Sequence, residues 1–108
     1  MPSKDSIRVR RWQKAHPEQH KRMARNTALK RRFGITIEQY ESMLADQKGR
    51  CKLCGTLKPG GRGVFHVDHD HETGKIRGLL CHGCNTGLGA FKDNVIVLGL
   101  AIEYLQTA

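Results

Sequence analysis

Apolar positions are spread unevenly along the chain, and they separate its parts. Ile37, Tyr40 and Leu44 recur at helical spacing with Met43 beside them, and Thr36 followed three residues later by Gln39 is a capping-box pair. A helix therefore begins here, and Lys48-Gly49 ends it. Residues 64–69 alternate weakly, residues 76–80 read as a second short strand, and Glu72-Thr73-Gly74 between them signals a turn, so the pair predicts a hairpin. A Gly/Pro-rich loop over 58–63 precedes it, and a short segment over 85–91 with Gly87 and Gly89 comes after it. Val95, Leu98, Ile102 and Leu105 then fall on one face of a last helix, capped by Asp93, whose apolar stripe reads as core or dimer interface.

The first third of the chain lacks such patterning. Residues 1–16 show no steady period and read as a flexible lead-in with one aromatic, Trp12. Pro17 suits a first helical position, and Gly34 suits a stop, which predicts a helix over 17–33. Lys21, Arg22, Arg25, Lys30, Arg31 and Arg32 lie nearly all round it, so it has little apolar face to pack and is expected to form on a phosphate backbone.

Charge sharpens this division. Of 19 basic residues in the 108-residue chain, eleven lie within residues 1–33 with only two acids, Asp5 and Glu18. The net charge of +9 thus resides in that arm, while the remaining bases and acids cancel. The expected organisation is a basic, partly helical arm over 1–33 that contacts DNA, and a folded domain over 34–108. Localised positive charge suits a polyanion, usually nucleic acid. The N-terminus carries charges throughout and no apolar run of the roughly seven residues a signal peptide needs, and nowhere does the chain hold the roughly twenty of a membrane span. The expected setting is a reducing cytoplasm with no membrane partner, where thiols bind metal more often than they pair.

The four cysteines form Cys51-x2-Cys54 and Cys81-x2-Cys84, joined by residues 55–80. Two residues between thiols let both sulfurs of a turn reach one tetrahedral ion at ~2.3 Å, and two such turns fill the shell. A filled shell leaves no place for substrate, so a structural zinc is predicted. His82 is a spare competitor. A domain this small needs such a staple, because its core alone buries little apolar surface.

The hairpin carries His66-Val67-Asp68-His69-Asp70-His71, and Asn85 comes just after the last cysteine at a helix start. The zinc connects the two across space. A carboxylate and a carboxamide oxygen are hard ligands suited to Mg²⁺ or Mn²⁺. A neighbouring imidazole, with an ordinary pKa near ~6.5, can take a proton from attacking water. These parts suffice for metal-assisted phosphodiester hydrolysis. Asp70 and Glu72 read as turn residues, and Arg77 either meets a phosphate or is merely exposed.

Phe33-Gly-Ile-Thr-Ile-Glu-Gln-Tyr, Gly49-Arg-Cys-Lys-Leu-Cys, Val67-Asp-His-Asp-His-Glu-Thr-Gly and Ile76-Arg-Gly-Leu-Leu-Cys-His-Gly-Cys-Asn together resemble the phage recombination endonuclease VII family of HNH (His-Me finger) nucleases. The resemblance implies a small α+β fold with a ββα-metal core, flanked by helices and stapled by zinc. It implies that Asp68 and Asn85 hold the catalytic metal, that His69 is the general base, and that His71 contacts phosphate or the leaving side. It also implies that Cys51, Cys54, Cys81 and Cys84 hold the structural zinc. Some relatives have an acid one turn after the helix asparagine, where this chain has Leu88. His66 matches a histidine in some relatives and receives no role.

The expected activity is cleavage of duplex or branched DNA by a monomer or homodimer, in a bacterial cell and with a phage as one possible source. The competing reading is a non-catalytic, treble-clef-like zinc module that binds nucleic acid, since two CxxC turns around a hairpin also build those. A ribonuclease or RNA-binding protein is a third reading, separable by DNA/RNA competition.

Overall fold

The computed structural model describes residues 4–107. Its elements are α1 (Lys4–Ala15), α2 (Pro17–Phe33), α3 (Ile37–Asp46), β1 (His66–His69), β2 (Ile76–Leu80), α4 (His82–Ala90) and α5 (Val95–Thr107). This is a small α+β protein. The chain divides into two compact units, Met1–Ser42 and Met43–Ala108, with α3 beginning in the first and ending in the second.

In the first unit the expected flexible lead-in is instead the helix α1, with residues 1–3 outside the described part. The absence of periodicity misleads here, because Lys, Arg, Gln and Ala carry high helix propensity without an apolar stripe. No Gly or Pro interrupts residues 4–15. Trp12 also stacks on His16 with ring centroids 4.8 Å apart. Pro17 opens α2, and Gly34 ends it in the left-handed conformation at φ 72°, its N–H donating to the Lys30 carbonyl.

Nor does α2 need a phosphate backbone to give it partners. Leu29 is buried, Asn26 Oδ1 accepts the Ile37 N–H at 2.9 Å, and the Arg22 guanidinium donates to both Glu41 oxygens at 2.9 Å. Arg25 lies over the Tyr40 ring at 4.5 Å. The capping box forms reciprocally: Thr36 N–H donates to Gln39 Oε1 at 2.7 Å, and Gln39 N–H to Thr36 Oγ1 at 3.1 Å.

The second unit is built on the antiparallel hairpin of β1 and β2, with α4 against both strands. Val67 pairs with Leu79, both buried, and Phe65, Leu80, Cys51 and Cys81 complete the small core. Asp70 turns the hairpin: its Oδ1 accepts the N–H groups of Glu72 and Thr73, and Gly74 comes next at φ 76°. The cap of α5 is Asn94, whose Oδ1 accepts from Ile96 and Val97. Asp93, the expected cap, stands one residue too early and turns elsewhere. The apolar stripe of α5 is not core within this chain, since no α5 residue is buried and Val95, Ile102 and Leu105 are largely exposed.

Candidate functional site

Two features of the second unit hold chemistry. In the first, the sulfurs of Cys51, Cys54, Cys81 and Cys84 lie within 4.8 Å of one another. Ligands at ~2.3 Å from a tetrahedral ion stand about 3.8 Å apart, and Cys54 Sγ lies 3.7 Å from Cys81 Sγ. Each CxxC turn aims a backbone N–H at its first sulfur: Cys54 N at Cys51 Sγ (3.5 Å) and Cys84 N at Cys81 Sγ (3.4 Å). Burial opposes charge on Cys51, yet amide donors from Cys54, Cys81 and Leu53 hold its thiol down at about 6. Burial and the neighbouring sulfurs push Cys84 up to about 12. Four thiols this close cannot all ionise without a cation among them, and a soft divalent ion such as zinc fits the set.

This cluster fixes the hairpin to α4. Cys81 comes directly after β2, offers its sulfur to the cluster, and caps α4 with the same atom. Strand end, ligand and helix start are therefore one residue. Asn85, on the first turn of α4, is partly buried, and its N–H donates to the Cys81 carbonyl at 3.0 Å.

The second feature lies on the hairpin. Asp68 pairs with Gly78 but His69 pairs with Ile76, so Arg77 is the extra residue of a bulge. The Arg77 guanidinium grips Asp68 as a fork, Nε donating to Oδ2 at 2.7 Å and Nη2 to Oδ1 at 3.0 Å. Nη2 also donates to Asp93 Oδ2 at 3.0 Å. Those two carboxylates raise the Arg77 pKa above its already high value. His71 Nε2 stands 3.8 Å from the same Asp93 oxygen, and the His69 and His71 rings meet edge to face with centroids 4.7 Å apart.

Contacts thus link Asp68, Arg77, Asp93, His71 and His69 in one run at the hairpin end. A third pair, His82 Nδ1 and His66 Nε2, lies 3.3 Å apart at the hairpin base, where the Gly60-Gly61 turn packs over His82. Sequence patterns leave Arg77 undecided and assign Asp93 to a helix cap. A bulge and a helix-connecting turn bring them together, and neither carries a readable local signal.

A family model described as recombination endonuclease VII matches residues 26–107. The chain belongs to that family. Among curated relatives, the Gene 59 protein of Mycobacterium phage D29 is 45% identical over 75 residues, covering 68% of this chain and 45% of the relative. The Gene 59 protein of Mycobacterium phage L5 is 43% identical over 74 residues, covering 68% of this chain and 44% of the relative. The matched region therefore spans less than half the length of these two relatives. No solved structure matches it significantly. The family match covers the cysteine cluster, both strands and the helices α4 and α5, so the zinc set and the Asp68–Arg77 pair lie inside the shared region.

Proposed function

We propose that this member of the endonuclease VII family is a metal-dependent DNA endonuclease of HNH type. Residues 34–108 form the nuclease domain on a ββα-metal core, and residues 1–33 form a DNA-contacting arm. In this reading His69 is the general base toward water. Asp68 and Asn85 hold one Mg²⁺ or Mn²⁺, and His71 faces the phosphate or the leaving oxygen. When bound, that ion supplies Lewis-acid stabilisation of charge on the phosphate. The substrate is duplex or branched DNA, cut inside the bacterial cell by a monomer or homodimer. Both relatives come from phages, and no described helix is long and apolar enough to cross a membrane.

The observation that carries the reading is a chemical demand at Asp68. Its side chain is 13% exposed, yet both oxygens engage a cation, here the chain's own guanidinium. A hard-oxygen carboxylate that requires positive charge suits a divalent ion. It stands next to His69 on a strand tied by the thiol cluster to the helix of Asn85.

The same saturation of Asp68 is what favours the rival reading, a zinc module without catalysis, in which the Asp68–Arg77 fork is only structural. Nicking of supercoiled plasmid in Mg²⁺ or Mn²⁺ separates them. The parent is expected to nick, and His69→Ala to lose about 10²–10⁴ in rate, the usual worth of a positioned base. A variant that nicks at the parental rate removes His69 from the role, and a parent inert in both metals sinks the nuclease reading.

A further inference from the structure

We propose that Arg77 is a built-in counter-cation that a divalent ion displaces from Asp68, and that Asp93 is the anchor that keeps the displaced guanidinium beside the site. The inference rests on the nuclease reading and gives it two positioning residues.

Competition is inherent in the fork. Arg77 occupies both Asp68 oxygens at 2.7 and 3.0 Å. A divalent ion on either oxygen would stand only a few ångströms from a guanidinium still holding the pair, and like charges at that separation repel strongly. Metal and guanidinium are therefore alternative partners of one carboxylate. The protein without metal satisfies Asp68 internally, which avoids leaving a largely buried anion unpaired.

Asp93 decides where the displaced guanidinium goes. Without it, an arginine released from Asp68 would have open solvent before it, since 38% of its side chain is already exposed. With it, Nη2 retains a charge-assisted bond of 3.0 Å. The donors that leave Asp68 then stay near the ion, where a planar fork matches phosphate oxygens. His71, 3.8 Å from the same Asp93 oxygen, is too distant for a hydrogen bond but adds a charge contact when protonated.

The turn that delivers Asp93 is itself unusual. Lys92 and Asp93 are consecutive non-glycine residues in the left-handed region, at φ 53° and 55°. The Lys92 N–H donates to Gly89 and the Asp93 N–H to Leu88, which closes the end of α4. Such backbone outliers persist only where the surroundings enforce them, and they gather at functional sites. The bulge at Arg77 is a second local irregularity aimed at the same carboxylate.

The test is Mn²⁺ titration into the zinc-loaded full chain without DNA, read from the electron paramagnetic resonance signal of free Mn²⁺. Arg77→Gln is expected to bind Mn²⁺ about three- to tenfold more tightly, as for loss of a partly exposed competitor, while nicking plasmid more slowly than the parent. Arg77→Lys, which keeps the charge without the fork, is expected between the two. Asp93→Asn is expected to bind Mn²⁺ at least about threefold more weakly, because the guanidinium then has only Asp68 to hold. That loss should largely vanish when Arg77→Gln is already present, a coupling that simple removal of negative charge would not produce.

Unchanged or weaker Mn²⁺ binding in Arg77→Gln overturns the inference, and so does an Asp93→Asn effect that is independent of Arg77. Asp68→Asn tells the two levels apart. If it leaves Mn²⁺ binding intact, the metal-site reading falls and takes this one with it. If it abolishes binding while Arg77→Gln changes nothing, only the counter-cation role is lost.

Discussion

Gln47 shows how one side chain can hold the site's scaffold from outside the hairpin. The Leu79 N–H donates to its Oε1 at 2.9 Å, and its Nε2 donates to the Leu79 carbonyl at 2.9 Å and to the Arg50 carbonyl at 2.8 Å. The carboxamide thus meets the outer edge of β2 as a third strand would, at a residue with no exposed surface. In Gln47→Ala the two carbonyls lose least, since Leu79 O keeps the Lys52 N–H at 3.0 Å and Arg50 is exposed to water. The Leu79 N–H is left stranded. A buried unpaired donor costs about 1–3 kcal/mol, and the lost bonds add a fraction of that, for a loss of about 2–3 kcal/mol. At roughly 4–8 °C per kcal/mol for a domain of this size, Tm should fall by about 10–20 °C. Urea unfolding of the zinc-loaded protein, followed by circular dichroism, should show a lower midpoint with an unchanged slope. Gln47→Leu is the control, because it restores volume without restoring a polar partner. A loss under about 0.5 kcal/mol for alanine, or parental stability for leucine, would refute the assignment of the cost to Leu79.

Three further outcomes are expected. Removal of zinc by a strong chelator should unfold the Met43–Ala108 unit and abolish nicking in a way Mg²⁺ cannot reverse; retained circular dichroism after verified zinc loss contradicts this. Changing Arg8, Arg10, Arg11 and Lys14 to Gln should flatten the dependence of log Kd for DNA on log salt by about 0.9 for each phosphate no longer neutralised. A slope equal to the parent's removes the arm from the interface. Finally, the N–H groups of Glu72 and Thr73 hold the Asp70 carboxyl below its usual range. A depressed carboxylate contributes stability that is complete above the unfolded pKa near ~3.9 and is lost as pH falls through the folded value. The stability gap between the parent and Asp70→Ala should therefore shrink as pH falls below the ordinary carboxylate range, and a gap unchanged down to about pH 2 would place its origin elsewhere.

Much of the fold is readable in the chain because the signals are local. The CxxC pairs, the Thr36–Gln39 box, Pro17 and the Gly34 stop each depend on spacings of a few residues, and each sits where those spacings require. The Asp70 turn is legible for the same reason. The features that escape have other causes. The helix α1 has propensity without periodicity, so a pattern of apolar positions passes over it. Asp93 and Asn94 are both competent caps, and only the backbone at φ 55° decides that Asn94 serves while Asp93 reaches Arg77. Gln47 acts across 32 residues of sequence, and nothing in its neighbourhood announces a strand edge to be met. Exposure of the α5 stripe is likewise a property of what packs against it, which a helical wheel does not contain.

The bulge at Arg77 makes the length of β2 as consequential as its composition. Neighbours on an ordinary strand point to opposite faces, so deleting any one residue between Ile76 and Leu80 would restore even pairing and exchange the faces of Asp68 or His69 relative to their partners. The turn beyond is constrained as well, because Asp70 Oδ1 holds the N–H groups of Glu72 and Thr73, and His71 between them meets His69 and Asp93. Gene shuffling or loop grafting on this scaffold should thus leave the residue count of the whole hairpin untouched.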